Sequence, residues 1–190
     1  MATPVTRRAI NIGAAAALVA TGAAVVFWAD RRERPETAAF ARSLIELQIA
    51  AQNGTALADF SQRLVTAEAN FTMAASQLHD TQVKEAKALF EIGRATQSYW
   101  QQVLKGDFEQ ISFSDLLRLK VMSAKDQADI TSAKLAFDVS PSLERMFGQP
   151  SKMSPDRFHD VLMGPVRKGL EKIITSSQRL ISELGIKTPA

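Results

Sequence analysis

Apolar residues recur every three or four positions along most of the chain after residue 35, and this period is typical of one face of an α-helix. The most regular run lies between positions 57 and 78, where the spacing alternates between three and four residues for three heptads. Such a run predicts a helix whose apolar seam faces another helix. The seam comprises Leu57, Phe60, Leu64, Ala67, Phe71, Ala74 and Leu78.

The seam changes phase after Leu78, where a polar segment, His79 to Gln82, interrupts the heptads. A four-residue step restores the pattern from Ala86 onwards, and an insertion of four residues is a stutter in a coiled coil. The pattern therefore predicts one helix over 56–105, ended by Gly106. The residues predicted to form the seam and to contact a partner are Leu57, Phe60, Leu64, Phe71, Leu78, Leu89 and Trp100.

Three further helices are predicted, over about 36–52, 114–138 and 155–184. Asn53-Gly54 ends the first, Ser140-Pro141 ends the second, and Ser154-Pro155 begins the third, because each pair carries a helix start or stop signal. Pro165 is expected to kink or split the last helix. The segment 139–153, which contains Pro141, Gly148 and Pro150, is predicted to be a loop with at most one short helix around Leu143 to Phe147.

No segment alternates apolar and polar residues as a half-buried strand does, so the predicted class is all-α. About four helices with short connections are typical of an up-and-down bundle or a coiled-coil hairpin. The alternative is a rod in which residues 36–104 form one helix about 100 Å long. Gly54 favours the bundle, because glycine inside a helix costs about 1 kcal/mol.

A separate apolar segment of 21 residues, 9–29, precedes the helical body. As a helix it would be about 31 Å long, which matches a hydrocarbon core of about 30 Å. We predict a single transmembrane signal anchor, with a basic cytoplasmic tail at 1–8, a charged juxtamembrane linker at 30–35 and the bundle over 36–190. The anchor includes Ile10, Leu18, Val19, Val25, Val26, Phe27 and Trp28.

Two other interpretations of this segment stay open. Gly22-Ala23-Ala24 provides the small residues that a signal peptidase requires, so the segment is also consistent with a cleaved signal and a soluble periplasmic product. It is also consistent with a buried core helix. The retained anchor predicts a single-pass protein of the bacterial inner membrane with its body in the periplasm.

The composition removes several classes of chemistry. The 190 residues include no cysteine, which excludes disulfides, thiolate nucleophiles and cysteine-bound metal centres. The net charge of +3 is unevenly placed, since residues 1–34 and 161–190 each carry +3 while 35–160 carry −3. The basic flank of the anchor suits anionic lipid head groups, and we predict no nucleic-acid partner.

Few residues offer catalytic or ligand-binding chemistry. The two histidines, His79 and His159, have no evident partner for general base catalysis or metal binding. The Gly164–Gly169 segment has the glycine spacing of a phosphate loop but no preceding strand. We therefore predict no catalytic residue, no cofactor, no metal and no small-molecule substrate, and hence a protein that is not an enzyme.

The pattern favours a membrane-anchored helical scaffold or assembly subunit of the cell envelope. Its expected partners are the lipid bilayer and a helical protein or further copies of itself. Three large apolar residues in the predicted loop, Met146, Phe147 and Met153, are a candidate docking site. The alternative function is an extracytoplasmic sensory or ligand-binding bundle that signals through a partner.

Overall fold

The computed structural model describes residues 35–148 and 153–185, and these residues form seven helices and no strand. The prediction of an all-α protein is therefore confirmed for this part of the chain. The helices are α1 (Pro35–Gln52), α2 (Leu57–Ala74), a 3₁₀ turn (Ala75–Gln77), α3 (Asp80–Lys105), α4 (Phe113–Arg118), α5 (Ala124–Phe147) and α6 (Pro155–Glu183).

Helices α1, α2, α3 and α6 enclose the larger of two apolar cores. Gly54, at φ 63°, turns the chain between α1 and α2, which pack side by side, so the rod alternative is wrong. The aromatic rings of Phe40, Phe71 and Phe90 form a chain across this core, with centroids 5.6 and 5.5 Å apart. Fully buried residues from all four helices close it: Phe40, Leu44, Leu47, Phe60, Leu64, Leu89, Phe90, Ile173, Leu180 and Ile181.

Successive helices of this core run in opposite directions. The Gln77 side chain, in the 3₁₀ turn that follows α2, bonds to Glu36 and Thr37 at the start of α1. Gln82, in the first turn of α3, donates to the backbone carbonyl of Glu183 at the end of α6, at 3.2 Å. The start of α1 and the end of α6 therefore lie at the same end of the core.

The predicted helix 56–105 is two helices, because the chain leaves the helical conformation at Leu78 and His79. Both residues are extended, with ψ near 150°, and the backbone N–H of His79 donates to the Gln82 side chain at 3.0 Å. This bond satisfies the backbone N–H of His79, the residue before the first turn of α3. The phase change in the heptads therefore marks a helix end and a new start instead of a stutter.

A smaller core lies beside the C-terminal half of α3 and the N-terminal half of α6. Helices α4 and α5 and the segments next to α4 cover it. Its buried members are Tyr99, Val103, Ile111, Leu116, Val121, Met122, Ile130, Leu162 and Val166. The two long helices α3 and α6 thus contribute to both cores.

Two glycines allow the helices of the larger core to approach closely. A Cβ atom at Gly93 would lie 2.6 Å from a Leu64 methyl group, and one at Gly169 would overlap the side chain of Thr96. No other residue type fits at either position without movement of a neighbour. The contact between α3 and α6 therefore depends on Gly169.

Helix α6 continues through Pro165 as one helix, so the expectation that Pro165 splits it is wrong. Pro165 is buried, and one turn earlier the Tyr99 hydroxyl donates to the backbone carbonyl of Leu162 at 2.6 Å. Burial raises the pKa of the Tyr99 hydroxyl, so it remains a donor. Packing from α3 thus supports the turn of α6 in which proline removes a backbone donor.

Candidate functional site

Helix α5 is held at its beginning by a capping box and an ion pair. The backbone N–H of Asp126 donates to the Ser123 hydroxyl at 3.2 Å, and the backbone N–H of Ser123 donates to the Asp126 carboxylate at 2.8 Å. The Lys168 ammonium of α6 donates to the same carboxylate at 2.5 Å. The hydrogen bond from Lys168, followed by those from Ser123, lowers the pKa of Asp126 to about 2.

One face of α5 packs against the bundle. Ile130 and Ala133 are buried, and farther along the helix the ring of Phe137 stacks on that of Phe158 at 4.3 Å with an interplanar angle of 10°. Phe158 in turn meets the edge of Phe108 at 5.9 Å. This face ties α5 to the beginning of α6.

The opposite face of α5 carries large apolar side chains that are exposed. Leu135, Val139, Leu143 and Met146 are spaced by four, four and three residues, which places them in one stripe along the helix. Leu135 is 59% exposed and Met146 is 72% exposed. Phe147, 65% exposed, lies next to this stripe at the helix end. We call these four stripe residues, together with Phe147, the α5 surface.

The last two turns of α5 extend past the beginning of α6. The two helices are antiparallel, because Asp126 lies opposite Lys168 and Phe137 lies opposite Phe158. This register places Pro155, the first residue of α6, opposite about residue 140 of α5. Residues 141–147 therefore have no part of α6 beside them, and much of the α5 surface lies where a second molecule can reach it.

The segment predicted as a loop over 139–153 is helical as far as Phe147. Proline at 141 removes a single backbone bond, to the Phe137 carbonyl, and the helix continues to Gly148, which ends it at φ 64°. Two of the three predicted docking residues, Met146 and Phe147, belong to the exposed part of α5. The third, Met153, is half-buried just before α6 and does not belong to the α5 surface.

The predicted seam lies inside the chain's own core, so it is not available as an interface with a partner. Phe60, Leu64, Phe71 and Leu89 are buried, while Leu57, Leu78 and Trp100 are half-buried. The heptads of α2 are matched by α1 and α3 of the same chain. Trp100 packs on Phe60 with ring centroids 6.2 Å apart, and its neighbour Tyr99 is the more deeply buried of the pair.

The other candidate residues do not assemble into a reactive site in residues 35–148 and 153–185. His79 caps α3, and His159 is exposed on α6. Within those ranges no group of three or more acidic or histidine side chains is placed to hold a metal ion. An open groove of about 330 Å³ between α3 and α6 is lined by Ile92, Glu171, Lys172, Thr175 and Ser176.

The predicted anchor over 9–29 and the linker up to residue 34 lie outside the described residues. Among the helices that are described, none has the length and apolar character needed to cross a bilayer.

Comparisons of this chain with protein-family models, with curated proteins and with solved structures found no match. The residues of the chain itself are therefore the basis for the function proposed below.

Sequence reasoning missed three members of the α5 surface: Leu135, Val139 and Leu143. The prediction that a helix ends at Ser140-Pro141 divides their spacing between a helix and a loop. The signal that identifies them is the continuation of the helical period across the proline to Met146. A proline near an exposed helix end removes one bond without ending the helix.

Proposed function

We propose that the chain is a membrane-anchored helical scaffold or assembly subunit of the bacterial cell envelope that binds a protein partner through the α5 surface. The observation that carries this proposal is the stripe of exposed apolar side chains on a helix whose other face is packed. A contiguous apolar patch on a protein surface is typical of an interaction site. A scaffold of this kind acts by contact and needs no catalytic residue.

The remaining surface supports the choice of α5. Other exposed large apolar residues of the described ranges are Val65 and Met73 on α2 and Leu104 at the end of α3. Val65 and Met73 are eight residues apart, with only Ala69 between them on that face, so they form no continuous stripe. The α5 surface combines five large side chains within 13 residues.

The anchoring part of the proposal rests on the sequence of residues 9–29. Their apolar length suits a bilayer core, and the basic residues that flank them suit lipid head groups. In this arrangement residues 1–8 are cytoplasmic, and an up-and-down bundle of four main helices with α5 on its side lies in the periplasm. The short segment 30–34 joins the anchor to α1, which begins at Pro35.

The docking part is tested with the full-length chain in native membranes, solubilised in mild detergent and separated by size. The unmodified chain is expected to migrate in a complex larger than one copy. The variant Leu135→Asn/Leu143→Asn is expected to lose that complex while it keeps its helicity and melting temperature. Val65→Asn/Met73→Asn is the matched control, because those residues are exposed to a similar fraction. Equal complex size in both variants would overturn docking at α5.

The anchoring part has a separate test, alkaline carbonate extraction of the same membranes. The full-length chain is expected in the pellet. Release of a shorter chain that lacks the first 24 residues would instead establish a cleaved signal, and release of the full-length chain would show that the segment does not span the bilayer.

A further inference from the structure

We propose that the partner of the α5 surface is the α5 surface of a second copy, bound antiparallel about a two-fold axis. This inference rests on the proposed docking function and assigns its occupant. Two features support this inference. The apolar residues of α5 can face one another in the antiparallel orientation, and Asp138 of each copy would then lie opposite Arg145 of the second copy.

Three apolar residues of the stripe, together with the polar Ser142, follow coiled-coil spacing, while Leu143 takes the flanking position e. Leu135, Val139, Ser142 and Met146 are separated by four, three and four residues, which is the alternation of core positions d and a in a heptad. In an antiparallel pair an a residue meets a d residue of the other helix. When Leu135 of one copy meets Met146 of the second, Val139 meets Ser142, and the two-fold axis repeats both contacts.

The charged residues that flank the stripe agree with the same register. Asp138 and Arg145 are both exposed, and both occupy the position directly before an a residue. In an antiparallel pair residues at this position face one another, so Asp138 of each copy lies opposite Arg145 of the second copy. On the other flank Leu143 lies opposite Ala136, and this apolar pair extends the contact. The e and g positions set orientation in coiled coils.

A parallel pair would not use these residues equally well. It would set Leu135 against Leu135 and Met146 against Met146, with Asp138 next to Leu143 at position e. The e position that corresponds to Arg145 lies past the end of α5 at Phe147. Neither charge would then meet an opposite one. The charge pattern therefore selects the antiparallel orientation.

The contact is short, since residues 135–146 span about 17 Å of helix. Stable interfaces usually bury about 1,200–2,000 Å² in total, and an isolated pair of this length buries less. The association is expected to be weak in dilute solution. Copies anchored in a membrane would associate more readily, because tethering raises their effective concentration.

Cysteine crosslinking tests the register, and the chain has no cysteine of its own to interfere. Two differently tagged full-length copies, Leu135→Cys and Met146→Cys, are co-expressed and oxidised in native membranes. The mixed disulfide dimer is expected to form at least tenfold more than either same-site dimer, because same-site residues are about 16 Å apart along the helix. The control is a pair of copies that carry Val65→Cys and Met73→Cys, and the yield of their mixed disulfide measures crosslinking by random collision.

Charge reversal tests the orientation independently. Asp138→Arg alone and Arg145→Asp alone each set like charges opposite one another and are expected to lower the mixed crosslink about three- to tenfold. The double variant restores opposite charges and is expected to recover most of the yield. All three variants should keep the melting temperature of the parent, because both side chains are exposed.

The outcomes separate this inference from the function on which it rests. Preferential same-site crosslinking would overturn the antiparallel pair. No crosslink above the Val65/Met73 background, with the larger complex still lost in Leu135→Asn/Leu143→Asn, would overturn the second copy as occupant and leave docking at α5 in place. If the complex also persists in that variant, the docking function fails as well.

Discussion

The two cores of this protein share α3 and α6 but are closed in different ways. The larger core is enclosed on all sides by four helices and contains three interlocked phenylalanine rings. The smaller core is covered by the short helix α4 and by α5. Within residues 35–148 and 153–185, no other helix packs on the outer face of α5. The comparison teaches that the larger core and the surface proposed for association lie in separate regions, so substitutions can change one without the other.

The largest expected effect comes from a charge in the larger core. Leu64→Asp places a carboxylate at a position that is 1% exposed, where it has no partner. We expect loss of the folded state, measured as loss of helicity by circular dichroism. The neighbouring Val65→Asp is the control, because Val65 is 58% exposed, and it should fold normally. If both variants fold equally well, the assignment of the larger core is wrong.

A cavity in the larger core is the next largest effect. Phe90→Ala removes a buried ring that contacts Phe71, and a substitution of this kind costs about 3–5 kcal/mol. Phe147→Ala removes a ring of the same size from the α5 surface and should change the free energy of unfolding by less than about 0.5 kcal/mol. Chemical denaturation of both variants measures the difference, which should vanish if the two regions are equally packed.

Replacement by alanine is expected to have different effects on stability at two glycines of α6. Gly169→Ala drives a methyl group into Thr96 and should destabilise the protein by about 1–3 kcal/mol. Gly164→Ala meets no atom within 4 Å and should be neutral or stabilise by up to about 1 kcal/mol. Thr96→Ala combined with Gly169→Ala should recover part of the loss. Equal melting temperatures for the two single variants would contradict the close approach of α3 and α6.

The smallest expected effect concerns the attachment of α5. The folded-state pKa of Asp126 is about 2, below the value of 3.8 for a free aspartate, so its ionised form stabilises the fold above about pH 4. That contribution should disappear as the pH falls from about 4 to 2. Asp126→Asn should lower the melting temperature at pH 7 by the equivalent of about 1 kcal/mol and flatten the acid dependence. Asp129→Asn, exposed on the same helix, is the control; a matching loss there would contradict the role of the capping box.

The helical class, the larger core and the bounds of α1 and α6 could be predicted from the sequence because burial follows the apolar period. The predicted helices 56–105 and 114–138 are wrong as single helices, since the structure has α2 and α3 in place of the first and α4 and α5 in place of the second. Phe60, Leu64 and Phe71 are buried as their spacing requires. The period does not show whether an apolar seam packs against helices of the same chain or against another chain. In this protein the seam of α2 packs against α1 and α3 of the same chain.

The candidate site could be predicted only in part, because it depends on what α6 leaves uncovered. Met146 and Phe147 stand out as large apolar residues near a proline. Leu135 and Val139 look like core residues until the register of α5 on α6 is known. The apolar period of a helix with two apolar faces does not distinguish the packed face from the exposed one.

The bonds that bring the start of α1 and the end of α6 to one end of the larger core have a mechanical consequence. A force applied between Pro35 and Gly185 would open the contact between α1 and α6 one turn at a time, which requires little load. A force applied between Pro35 and the tip of α5 would act along the length of α6, about 43 Å, and would load all its contacts at once. The contacts of α6 would therefore resist a force between Pro35 and the tip of α5 better than a force between Pro35 and Gly185.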